Sequence, residues 1–152
     1  MKRLLSFAAA IAVVVVSAAV LASGAFADQP TRFPLSPGSF TISGVCSFDV
    51  QATLIANREF EIDFSSGASI ITGRLVYLFT NATTGKSLVA NLSGPAFISP
   101  DGEVVATGVT GVFGFASLSG LLILHGPVMY DFANNTFTTT SASMVDLCAA
   151  LS

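Results

Sequence analysis

Cys46-Ser47-Phe48-Asp49-Val50-Gln51-Ala52-Thr53-Leu54 alternates without a break: Cys46, Phe48, Val50, Ala52 and Leu54 fall on one face, Ser47, Asp49, Gln51 and Thr53 on the other. A period of two is the signature of a β-strand with one face in a core and one in water. The next stretch repeats it, with Phe60, Ile62 and Phe64 read as inward and Glu59, Glu61 and Asp63 as outward. The two runs are expected to form a hairpin turning near Ala56-Asn57. The acidic row is then the solvated side of a sheet, with Arg58 as a screening charge, in preference to a calcium site or a glycosidase pair.

Downstream, β-branched and aromatic runs stand between turn signals. Ile70 to Thr80 ends at Asn81-Ala82-Thr83-Thr84-Gly85-Lys86, where Gly85 can supply a positive φ. Ser87 to Leu92 and Ala96 to Ser99 are separated by Gly94-Pro95, and Pro100-Asp101-Gly102 reads as a β-turn. Glu103 to Thr110, Val112 to Phe115, Leu121 to His125, Val128 to Phe132 and Thr136 to Ser143 follow, with Asn134-Asn135 as the last turn. Met144 to Leu151 is expected to make one or two helical turns. No window after the N-terminal segment has helical periodicity over a useful length. The fold class is therefore all-β: a single small antiparallel β-barrel, or a sandwich, of about eight strands, with the barrel preferred.

The N-terminal segment belongs to a different class. Lys2 and Arg3 precede an apolar run from Leu4 to Ala22, and Ala25-Phe26-Ala27 stands just before Asp28. A basic start, an apolar stretch and a small-x-small site describe a secretion signal, here residues 1–27, with an uncleaved membrane anchor as the alternative. Residues 28–38, with Pro30, Pro34 and Pro37, read as an extended lead-in without regular pairing, and residues 39–152 as the β domain. The expected location is secreted or extracytoplasmic, at the cell envelope.

Charge and cysteine content agree with export. The whole chain carries −3, and beyond residue 27 only Arg32, Arg58, Arg74 and Lys86 face nine acids, a net −5. So few basic groups leave no electrostatic footprint for a phosphate backbone, which excludes nucleic acid as a partner. Cys46 and Cys148 are expected to form one disulfide, the usual state of two cysteines in an oxidising compartment, with two free buried thiols as the alternative.

Candidate chemistry is sparse. His125 is the sole histidine and the one candidate polar site residue, but no Cys, His or carboxylate stands near it at metal-ligand spacing. Gly108, Gly111, Gly114 and Gly120 have no phosphate-loop context and read as points of strand curvature. No serine lies in a Gly-x-Ser-x-Gly elbow. Hence no catalytic residue, metal or cofactor is assigned. Asn81-Ala82-Thr83, Asn91-Leu92-Ser93 and Asn134-Asn135-Thr136 match the glycosylation pattern. Of thirteen Phe only Phe7 and Phe26 precede Asp28, and Trp is absent, so the aromatic set reads as core and not as a sugar platform.

Two patterns bear on partners. Leu121-Leu122-Ile123-Leu124 is apolar on both faces, so its second face needs a cover: the N-terminal segment, a second subunit in a homodimer, or a small apolar ligand in a barrel lumen. Leu92 to Ile98 and Leu124 to Tyr130 echo each other, each a strand broken by Gly-Pro and resumed, as at an edge or bulge.

Through Cys46-Ser47-Phe48-Asp49-Val50, Thr80 to Lys86, Asn91 to Pro95 and Val145-Asp146-Leu147-Cys148-Ala149, the chain resembles a set of small exported actinobacterial proteins of unknown function. The resemblance implies an exported β-rich domain with a first-to-last Cys pair, and no activity. The expected function is a non-catalytic extracellular or cell-envelope domain contacting a protein or surface. The alternatives are a lipocalin-like carrier of a small apolar ligand and a pocket-type cyclase or isomerase.

Overall fold

The computed structural model describes residues 29–112, 120–140 and 143–152. The expected signal segment, residues 1–27, and the expected strand from Val112 to Phe115 beyond its first residue lie outside the described residues.

The described chain is nearly all strand. In order these are β1 (Thr31–Pro34), β2 (Phe40–Ile42), β3 (Val50–Asn57), β4 (Phe60–Asp63), β5 (Ser69–Thr72), β6 (Leu75–Asn81) and β7 (Ser87–Asn91). Then come β8 (Ala96–Ile98), β9 (Val104–Ala106), β10 (Val109–Val112), β11 (Leu122–His125), β12 (Val128–Asp131), β13 (Thr136–Thr139) and β14 (Ser143–Asp146), and the short helix α1 (Leu147–Leu151). A seven-stranded sheet runs β1-β4-β5-β8-β9-β12-β13, a four-stranded sheet β2-β3-β6-β7, and a three-stranded sheet β10-β11-β14, all antiparallel.

These sheets have one plan. After β1 the segments pass in pairs between a smaller sheet and the large one, β2 and β3, then β4 and β5, and so on to β14, and hydrogen bonds cross the bends. Leu35 N donates to Glu59 O, Arg58 N to Arg74 O, Leu92 N to Leu75 O, Thr107 N to Pro95 O and Gly126 N to Gly108 O, at 2.7 to 3.0 Å. Thr139 Oγ1 donates to Pro127 O at 2.8 Å. The molecule is thus one antiparallel meander of seven long strands, each bent at its middle, folded over along a shared crease.

Glycine makes the crease possible. Gly73 has φ +131°, and a Cβ there would stand 2.2 Å from Arg58 O; a Cβ on Gly94 would stand 2.4 Å from Thr107 O. The echoed Gly94-Pro95 and Gly126-Pro127 are two crossings of this one line, so they are shared architecture. The expected long strands Ile70 to Thr80 and Glu103 to Thr110 are each two segments, broken at Gly73-Arg74 and Thr107-Gly108.

Three expectations are corrected. The meander does not close into a barrel: β1 and β13 are edges of the large sheet, β2 and β14 edges of the small ones. β3 and β4 do not form a hairpin, because the chain crosses the crease at Arg58-Glu59; β3 pairs with β2 and β6, β4 with β1 and β5. The stretch after Pro30 is extended yet paired, Thr31 to Pro34 forming an edge strand where proline is tolerated.

What joins the first and last strands is covalent. Cys46, in the loop after β2, is bonded to Cys148 in α1, just after β14. Asp146 caps the helix, its carboxylate accepting from Cys148 N and Ala149 N. Leu147 and Leu151, 1% and 0% exposed, then enter the main core with Val50, Ala52, Phe79, Leu121 and Ile123.

The doubly apolar run is explained within the chain. Leu121 and Ile123 face that core, whereas Leu122 and Leu124 pack on Val128, with Tyr130 and Phe137 beside them. The three-stranded sheet is therefore a middle layer, and β12 and β13 supply the second cover.

Candidate functional site

Residues directly opposite across antiparallel strands share a face. In the large sheet Glu61, Ile71, Ala96, Ala106 and Val128 form one row. Ala106 and Val128 are buried, which makes this the inner face. Glu59, Glu61 and Asp63 alternate onto it, so the expected assignment of β4 is inverted: the acids point inward, and Phe60 and Ile62 outward. The cause is the irregularity at Ile55 in β3: Leu54 pairs with Tyr77 but Asn57 with Leu75, so one residue is skipped and the odd positions Asn57, Glu59 and Glu61 take over the inward face.

Glu61 is accommodated by accepting from Ser69 Oγ at 2.8 Å. Glu59 is not: its backbone N–H is bound by Asn57 Oδ1 at 2.8 Å, but among the described residues its carboxyl has no hydrogen-bond partner. It lines a cavity of about 250 Å³ with Ile71, Ala96 and Ala106 of the large sheet, Phe40, Leu75, Tyr77 and Phe79 of the four-stranded sheet, and Thr110 and Gly111 of β10. Phe40, 39% exposed, stands at the mouth; Tyr77, 4% exposed, stands deeper. Their rings meet edge to face at 5.5 Å.

Polar contacts hold the walls. Tyr77 Oη donates to Gly38 O at 2.9 Å, which fastens the segment before β2 over the ring. Thr110 Oγ1 and Tyr130 Oη are 3.0 Å apart. Burial raises the Glu59 carboxyl above the ordinary carboxylate value. Burial, and then the Glu59 charge, raise the Tyr77 phenol. Tyr130 is also raised by burial, an effect the Thr110 contact opposes. The arrangement is an apolar cleft with one uncompensated acid and one phenol, able to hold a ring and to hydrogen-bond a single polar substituent.

Sequence reasoning placed its candidate elsewhere. His125 is exposed at the end of β11, opposite Val109 and Ser143, and lines a separate surface cleft of about 330 Å³ between β7 and the three-stranded sheet. It is no part of the crease cavity. Cys46 and Cys148 are bonded to each other, with Cα atoms 5.4 Å apart. Among the described residues no three His, Cys, Asp or Glu groups are placed to hold a metal ion. Glu59 and Tyr77 were missed because only the fold over the crease brings them together; the one signal was an acid beside the break between two strands.

No protein-family model matches the chain, and no curated protein or solved structure is significantly similar to it.

Proposed function

We propose that this is a non-catalytic, exported binding domain that holds a small, mostly apolar molecule in the crease cavity, its one polar group against Glu59. The observation that carries this reading is the cavity itself. It is open to solvent at Phe40, walled almost wholly by apolar side chains and carries one acid without a hydrogen-bond partner among the described residues, the composition of a small-molecule site. A cavity of about 150 Å³ accepts benzene, and one of about 250 Å³ has room for a substituted or fused ring. The Cys46–Cys148 disulfide fits an oxidising, extracytoplasmic setting.

Two results test it. Native mass spectrometry of protein purified from its own host is expected to show a copurifying small molecule that organic extraction removes. Titration of the extracted protein with indole should shift the Phe40 and Tyr77 ring resonances saturably, and Ala96→Leu or Ala106→Leu should abolish that shift by filling the cavity. A clean mass before extraction, together with no saturable shift, overturns the proposal.

A second reading rests on Glu59 and Tyr77 sharing the cavity, since a carboxyl and a phenol are the groups that acid–base isomerisation of an apolar substrate needs. Turnover of the extracted molecule by wild type, lost in Glu59→Gln, would favour it over carriage.

A further inference from the structure

The outer face of the large sheet is the opposite of its inner one. Register places Arg32, Ile62, Ile70, Phe97, Val105, Met129 and Thr138 in a single row across all seven strands. The five central positions are apolar; Phe97 and Met129 are each 45% exposed, and Ile62, Ile70 and Val105 beside them are half-buried. A sheet face of a lone domain in water normally shows polar residues there. Beside the row a groove of about 310 Å³ runs between Phe64 and Val105.

Charge is sorted across the same face. Arg32 lies over the Phe60 ring at 4.4 Å, and exposed Arg58 and Arg74 flank the inward-facing Glu59 and Leu75 at that end. At the diagonally opposite corner Asp101, Glu103 and Asp131 line a surface groove with Met129. A two-fold axis in the plane of the face, perpendicular to that diagonal, lays the basic corner of one molecule on the acidic corner of another. Both corners are matched at once, and the apolar rows meet between them.

We infer that this face is the interface of a symmetric homodimer, two large sheets packing face to face. Self-complementarity of apolar row and charge is what an isologous contact demands, and stacked sheets supply its geometry. The inference is independent of the crease cavity, which opens on the other side of the same sheet.

Analytical ultracentrifugation of the protein purified from its own host is expected to show a dimer. Phe97→Lys with Met129→Lys, at exposed positions, should give a monomer with unchanged near-ultraviolet circular dichroism. Reversing the basic corner (Arg32→Glu, Arg58→Glu, Arg74→Glu) should weaken association more than about 10-fold, as should reversing the acidic one (Glu103→Arg, Asp131→Arg). Mixing the two should restore a dimer, a result nonspecific apolar sticking cannot produce. A monomeric wild type overturns the inference, and so does a dimer indifferent to the Phe97 and Met129 changes.

Discussion

Asn81 Nδ2 donates to Leu151 O at 3.0 Å, across 70 residues of sequence, and both residues are almost wholly buried. The same side chain accepts from Thr83 N at 2.8 Å and Thr84 N at 3.1 Å. One amide therefore shapes the turn between β6 and β7 and anchors the C-terminal helix. Asn81→Ala is expected to lower stability by about 2–3 kcal/mol, because it strands a buried carbonyl as well as removing three bonds. Urea unfolding of the two proteins measures it.

The same burial decides among the three glycosylation patterns. Asn81 is 1% exposed with its amide nitrogen engaged, whereas Asn91 and Asn134 are exposed. After expression in a glycosylating host, peptide mass spectrometry should find Asn81 unmodified in all folded protein.

The disulfide closes a loop of 102 residues between strands that share no ladder. Replacing Cys46 and Cys148 by Ala is expected to cost about 2–4 kcal/mol, the typical range and below the ~4.7 kcal/mol that chain entropy alone assigns to a loop of this length. Unfolding wild type with and without reductant should reproduce the loss, and the variant should be insensitive to reductant.

At the crease, Gly94→Ala drives a Cβ to 2.4 Å from Thr107 O and 2.6 Å from Val109 O, both backbone atoms that cannot swing away. A loss of more than about 3 kcal/mol is expected. Gly38→Ala, with nothing within 4 Å of the new atom, is the control and should leave the melting temperature almost unchanged.

Glu59 gives a pH dependence with a definite sign. Burial raises its folded-state pKa above the ordinary 4.5, so the folded chain holds that proton more tightly than the unfolded one. The stability this confers is complete below about pH 4.5 and is lost as pH rises through the folded value. Glu59→Gln should therefore melt higher than wild type at pH 7, with the difference vanishing in acid. Equal melting temperatures at both pH values would contradict the assignment.

How far the sequence reads correctly depends on the crease. Val50, Ala52 and Leu54 face inward as their alternation predicts, since β3 keeps that facing until the irregularity at Ile55. The turns at Gly85, Gly102 and Asn134-Asn135 are legible because positive φ has few suppliers; Gly85, Gly102 and Asn135 all adopt it. The helical turns carrying Cys148 are also found, although Met144 to Asp146 pairs with β11. Periodicity fails at Ile55, where one skipped residue moves the inward parity from even to odd before the chain changes layers at Arg58-Glu59. It fails again for Ile62, Ile70 and Phe97, whose apolar character says core and whose row lies outside. The meaning of Leu121 to Leu124 needed the third layer, which no local pattern announces.

The Cys46–Cys148 bond also determines how the domain would respond to a pull. Tension applied from outside the two cysteines passes through the sulfur bridge, so the enclosed strands sit in a covalent ring that force cannot lengthen. About 350 Å of contour is hidden in this way at full extension. Thioredoxin-like reduction would release it in a single step, converting a short, stiff spacer into a long and compliant one.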